Sequence, residues 1–200
     1  MSRAIHVFRT PDRFVSGTVG EPGDRTFYVQ AVHANRVVSV MLEKQQVAIL
    51  ADRIDALLDE VARRFDTPVA EATDEVEDLQ PLVTPIDAEF RVGTMGLGWD
   101  ANENSVVVEL LAVTEESLDE SIVLDDRDDG PDALRVFLTT EAARSFAARS
   151  EAIVSAGRPP CPLCGEPLAA DGHVCVRTNG YKREPVSLEP YDFDIDDDSA

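Results

Sequence analysis

Cysteine and histidine are scarce in this chain, three of each in 200 residues, and there is a single tryptophan. No run of eighteen apolar residues occurs, which excludes a membrane-spanning helix of ordinary length. The opening stretch MSRAIHVFRTPDRF has no apolar h-region and does not read as a secretory signal, so the cytoplasm is the expected compartment. Cations are also in short supply. Eighteen Lys and Arg face 39 Asp and Glu, giving a formal net charge of −21, and such a chain repels phosphate backbones as a whole. Neither an H-E-x-x-H nor a Walker motif is present. No Ser/His/Asp or Cys/His constellation stands out, and His6 and His33 read as surface or structural residues, because a catalytic histidine needs an orienting partner. Whether the protein is an enzyme is open at this level, with the balance against it.

What is present is a body rich in β-branched and aromatic segments. Hydrophobic residues make up 44% of the chain, enough for one medium domain or two small ones. Arg13–Thr18, Arg25–Val32 and Val37–Leu42 read as three strands, separated by the turns Gly20–Asp24 and His33–Arg36. From Glu43 the period changes: Val47, Leu50, Ile54, Leu57, Leu58 and Val61 fall on one face of a helix reaching about Phe65. Residues 66–89 follow with many acids, three prolines and no Lys or Arg, a connector with Leu79, Leu82, Val83 and Ile86 as candidate anchors.

The first half then recurs. Phe14–Gly20 is echoed by Phe90–Gly96, the turn Leu97–Asn104 leads into Ser105–Val113, and an acidic insertion, Thr114–Asp132, precedes Leu134–Leu138. A helix starts at Thr139/Thr140, good N-cap residues with Glu141 in the first turn, and shows Ala143, Phe146, Ala147, Ile153 and Val154 on its apolar face. Leu42–Leu58 aligns with Leu138–Val154 without gaps. The fold class expected is α+β, with tandem βββα repeats (5–65 and 90–156, joined by 66–89) forming one antiparallel, pseudo-twofold body over residues 1–156. A zinc knuckle follows over 157–186, then an acidic tail over 187–200 that reads as disordered.

The knuckle carries the clearest chemistry. In CPLCGEPLAADGHVC, Cys161 and Cys164 have the spacing that aims two thiolates at one ion, and Pro162 and Gly165 suit the tight turn this needs. His173 and Cys175, two apart, share a face if that stretch is extended. Together Cys161, Cys164, His173 and Cys175 form a Cys3His set suited to tetrahedral Zn2+, closed and therefore structural. A redox C-x-x-C, a disulfide and inert thiols are the alternatives. The redox motif sits at the start of a helix, which Pro162, Gly165 and Pro167 disfavour, and a disulfide would leave one cysteine over.

Arg158, Arg177, Lys182 and Arg183 make a local basic cluster around the knuckle, where contact with nucleic acid could survive the overall charge. The tail SLEPYDFDIDDDSA would compete for that cluster by charge. The acids Glu115, Glu116, Asp119, Glu120 and Asp125–Asp129 lack EF-hand spacing and read as a solvated loop. The glycine-rich stretches Gly17–Gly23 and Gly93–Gly98 join strand to strand and read as hairpin turns, not phosphate loops. Trp99, beside Gly98 and Asp100, is placed in such a turn.

The HVF near the start, RFVSGTVGEPGDRTFYVQA, LEKQQ before the first helix, and CPLCGEPL…GHVCVRTNGY together resemble an uncharacterised actinobacterial family of about this length, a domain of unknown function. The resemblance spans most of the chain and implies a bacterial, cytoplasmic setting. It carries over no catalytic residue.

Two functional readings follow. In the first, the protein is a non-enzymatic zinc-binding adaptor or regulatory protein that docks an unknown protein partner. In the second, it is an enzyme or small-molecule binder with its site in the seam between the repeats, where Thr18, Arg25, Thr94 and Asp100 would converge on a pocket.

Overall fold

A computed structural model describes residues 3–65, 68–72, 75–114, 130–157, 161–165, 175 and 177. The chain divides into two compact units, Met1–Gly157 and Arg158–Ala200. The first opens with a short strand, β1 (Ile5–Phe8), then the meander β2 (Arg13–Val19), β3 (Thr26–His33) and β4 (Arg36–Leu42), and helix α1 (Lys44–Phe65). A second meander follows, β5 (Ala88–Asp100), β6 (Ser105–Ala112) and β7 (Ala133–Leu138), and leads into helix α2 (Thr140–Ser155).

The seven strands form one sheet in the order β1-β7-β6-β5-β4-β3-β2. Within each meander neighbours are antiparallel, but β4 pairs with β5 in parallel, and so does β1 with β7. The sheet is therefore mixed, not antiparallel throughout as expected. The reason is the crossover: α1 carries the chain back to the end where β4 began, so β5 runs alongside β4 in the same direction. This junction also sets the third strand of the first meander against the first strand of the second. A twofold axis would set like edges together, antiparallel, so the expected pseudo-twofold arrangement is not what this strand order gives. β1, residues His6–Phe8 included, is an edge strand that periodicity over four residues does not announce.

Connectivity forces the sheet to curl. β1 and β2 lie at opposite edges, yet only residues 9–12 separate them. Five extended steps reach roughly 17 Å, whereas six flat interstrand spacings need roughly 29 Å. The edges must approach each other, and contacts across the opening show that they do. Arg36, at the start of β4, donates to the Val7 carbonyl in β1 at 3.1 Å, and its guanidinium lies 4.4 Å from the centre of the Phe8 ring. The concave face carries Phe14, Phe27, Val29, Ala31, Val38, Val40, Val106, Val108, Leu110, Leu134 and Val136 around one core with both helices.

α1 enters the core with a single stripe, Val47, Leu50, Ala51, Ile54, Leu58 and Val61, all 2% exposed or less. Its start is fixed by Gln46, whose Oε1 accepts from the Glu43 amide at 2.8 Å, half of a capping box, while its Nε2 donates to the Val92 carbonyl of β5 at 3.1 Å. α2 begins at the N-cap Thr139, whose side chain accepts from the Ala142 amide. It leaves β7 near one edge and packs on β2 at the other, with Phe14 and Phe146 stacked at 4.7 Å and the Ser16 and Ser150 hydroxyls 2.9 Å apart.

The acidic connector is held to this body by arginines. Arg13 of β2 donates to both Asp78 carboxylate oxygens, at 2.5 and 3.0 Å, and to the carbonyls of Gln80 and Pro81. Arg149 of α2 donates to the carbonyls of Ser16 and Gln80, both at 2.8 Å, and to that of Asp78. Leu82 closes over Gly17, where a Cβ would lie 2.5 Å from Leu82 Cγ, so β2 has room for the connector only as glycine. Of the four candidate anchors Leu82 is buried and Ile86 half-buried, while Leu79 and Val83 are exposed.

Candidate metal centre

The second unit is described over a short loop and two further residues, and these hold all three cysteines. Cys161 opens a turn over Pro162–Cys164. The Gly165 amide donates to the Cys161 carbonyl at 2.8 Å, and Gly165 sits at φ +80°, the left-handed conformation that glycine adopts without strain. The Leu163 amide approaches the Cys161 Sγ at 3.5 Å. Cys175, farther along the chain, brings its Sγ to 3.8 Å from that of Cys161.

All three sulfurs lie within 4.8 Å of one another. Two thiolates on one tetrahedral ion, each with a bond of about 2.3 Å, stand roughly 3.8 Å apart, so the Cys161–Cys175 separation fits a shared ion. None of the three is in a disulfide, a bond that would need about 2.05 Å. Cys161 and Cys175 are buried and Cys164 is half-buried. The cluster could hold a metal ion; three sulfur donors suit zinc, copper(I) or iron–sulfur chemistry. His173 lies outside the described residues, as do Arg158, Lys182, Arg183, the acids at 115–129 and the tail. Arg177 is described and exposed.

The residues expected at a seam are found on and beside β2, β3 and β5. Arg25 donates to the Ala156 carbonyl at the end of α2. Asp100 caps the β5–β6 turn, its Oδ1 accepting from the amides of Asn102 at 2.9 Å and Glu103 at 3.3 Å. Thr18 sits near the end of β2 and Thr94 inside β5. His33 pairs with Asp12 at 3.6 Å and His6 with Arg36 at 3.2 Å, both on exposed surface. The expected turn at Leu97 is corrected: β5 runs on to Asp100, Gly93–Gly98 is strand, and Trp99 pairs with Val106 and packs half-buried on the core. Glycines at 96 and 98 imitate a turn in the sequence, but Met95, Leu97 and Trp99 alternate with them and put one apolar face inward.

Sequence reasoning missed the buried charges. Glu109 is fully buried in β6, directly opposite Arg135 of β7, which donates to it through Nε at 2.8 Å. Arg144 holds Asp55 and Asp59 of α1 at 2.5 Å each. One signal was available: a glutamate in the run SVVVELLA has to find a cation or destabilise the strand.

No curated protein and no solved structure matches this chain significantly. No described helix is long and apolar enough to cross a membrane. One family does match, over residues 6–175, a span that ends on the last of the three clustered cysteines and takes in both helices and all of the sheet except its first residue, Ile5. The chain belongs to that family, described as protein of unknown function (DUF3090).

Proposed function

We propose that Cys161, Cys164 and Cys175, completed by His173, hold one structural zinc ion, and that the protein acts as a non-enzymatic adaptor or regulatory binding protein. The observation that carries this reading is the approach of three sulfurs, two from one turn and the third from Cys175 farther along the chain, to the spacing of thiolates on a common ion. A fourth protein ligand would close the shell and leave no position for a substrate, the pattern of structural sites. The same reading treats 157–186 as a small module ordered by its metal and 187–200 as an acidic appendage. It keeps the protein in the cytoplasm, where thiols stay reduced, and the two βββα runs are read as a duplication on the ungapped match of Leu42–Leu58 with Leu138–Val154.

Metal analysis of the full chain, purified without added zinc, tests the proposal. The expected result is about one zinc per chain, lost in Cys175→Ser and retained more weakly in His173→Ala, since three thiolates still bind. Protein free of zinc, with thiols that react readily, would overturn it in favour of redox chemistry at Cys161 and Cys164. Zinc that survives both substitutions would move the fourth ligand elsewhere. Capture of protein partners by the metal-loaded chain but not by Cys175→Ser is the expected signature of the adaptor role.

A further inference from the structure

A groove of about 510 Å3 lies between α1 and β5, where the helix ending the first βββα run meets the strand beginning the second. Its walls are apolar: Ile49, Leu50, Ala56 and Leu57 from the helix, Met95 and Leu97 from the strand. Ile49 is 42% exposed although it faces this hollow. Two charged residues stand at the groove. Glu60 is already paired with Arg63 and Arg64 in the next turn of α1. Arg53 has no hydrogen-bond or ion-pair partner among the described residues, in a body where Arg13, Arg135, Arg144 and Arg149 are all engaged.

We propose that this groove binds an apolar monocarboxylate, a medium-length acyl acid whose chain lies along Ile49, Leu57, Met95 and Leu97 and whose carboxylate pairs with Arg53. The volume falls within the range of small-molecule sites, room for a chain of roughly ten carbons. The polar end is selected by local charge, because among the described residues the groove's one uncompensated ion is a guanidinium, which can take a carboxylate in bidentate fashion. The net charge of −21 opposes any anion at long range. Affinity therefore comes mainly from the buried chain, and Arg53 sets which headgroup is accepted. The proposal rests on the Met1–Gly157 unit and is independent of the metal.

The chain's single tryptophan is a built-in reporter, since Trp99 lies two residues beyond Leu97 on the same inward face of β5. Full-length protein is titrated with decanoate, decanol and decyltrimethylammonium below their micellar concentrations, following Trp99 emission with calorimetry alongside. Decanoate is expected to bind tightest, and affinity to rise about two- to fourfold per added methylene until the groove is filled. Arg53→Glu should weaken decanoate about tenfold and reverse the preference toward the ammonium. Ala56→Phe, at an exposed helix position lining the groove, should weaken binding of all three in both readouts while leaving circular dichroism unchanged. Tighter binding of the ammonium by the unmodified protein, or absence of binding by both methods, would overturn the proposal. So would a concentration-dependent dimer lost in Ile49→Glu, which would assign the groove to a second copy.

Discussion

The two helices follow equivalent meanders, yet they are buried in different ways. α1 presents one apolar stripe and leaves its outer face in water, with Arg63 and Arg64 in its last turn, where the helix dipole favours cations. α2 buries Ala143, Phe146 and Ala147 against the sheet, and also Thr140, Arg144, Arg149 and Ser150. Its arginines point where a simple amphipathic helix would meet solvent. They meet α1 and the acidic connector instead, which supply carboxylates and carbonyls: Asp55, Asp59, Asp78, Ala70 and Gln80. A helix enclosed on most sides need not be apolar on most sides, provided each buried donor finds an acceptor. Of the eighteen cations in the sequence, sixteen are arginine, whose planar fork satisfies several acceptors at once.

The largest test of this contrast is a pair of truncations. Phe146→Ala removes a ring that is 1% exposed and stacked on Phe14, and should cost about 3–5 kcal/mol of stability. Ile49→Ala on α1, 42% exposed, should stay within about 0.5 kcal/mol. Urea unfolding read by Trp99 fluorescence measures both in the body. A comparable loss at Ile49 would mean that the outer face of α1 is covered and that the two helices are alike after all.

Next in size is Arg149→Met, which preserves length and apolar stem but strips the donors from Ser16, Asp78 and Gln80. The loss of a buried, multiply bonded charge should cost about 3 kcal/mol, with protease cleavage within the connector as the sharper readout. An unchanged cleavage rate would show that the connector is held by Leu82 and Arg13 alone.

Much of the fold was legible because periodicity reports local burial. Both helices, the N-cap at Thr139 and the five long hairpin strands nearest the predicted segments could be read from apolar spacing and turn residues. Burial that depends on distant partners was not legible. Arg13, Arg144 and Arg149 look like surface residues in any local window, and their acceptors lie 65 to 133 positions away. Parallel pairing of β4 with β5 is likewise decided by where a 22-residue helix delivers the chain. At the cysteine cluster the opposite holds. Cys161 and Cys164 declare the site in four residues, and the structure adds the approach of Cys175, which spacing could suggest but not establish.

A smaller effect than that of Arg149→Met is the most diagnostic of how Arg13 and Arg149 hold the connector. The Asp78 carboxyl is held below its ordinary value of 3.8, first by the hydrogen bond from Arg13, against a desolvation that raises it, and further by the Gln80 amide and the charges of Arg13 and Arg149. With the folded value below the unfolded one, the stabilisation is fully present above 3.8 and is lost as pH falls through the depressed folded value. Asp78→Asn should therefore cost about 1 kcal/mol near neutrality and progressively less in acid, so the gap between the two unfolding curves closes as pH drops. If Asp78, Arg13 and Arg149 act as one unit, Asp78→Asn should cost less in the Arg149→Met background than alone. Full additivity there would mean that α2 and the connector are buried independently, and the contrast between the helices would have to be explained by the curl of the sheet alone.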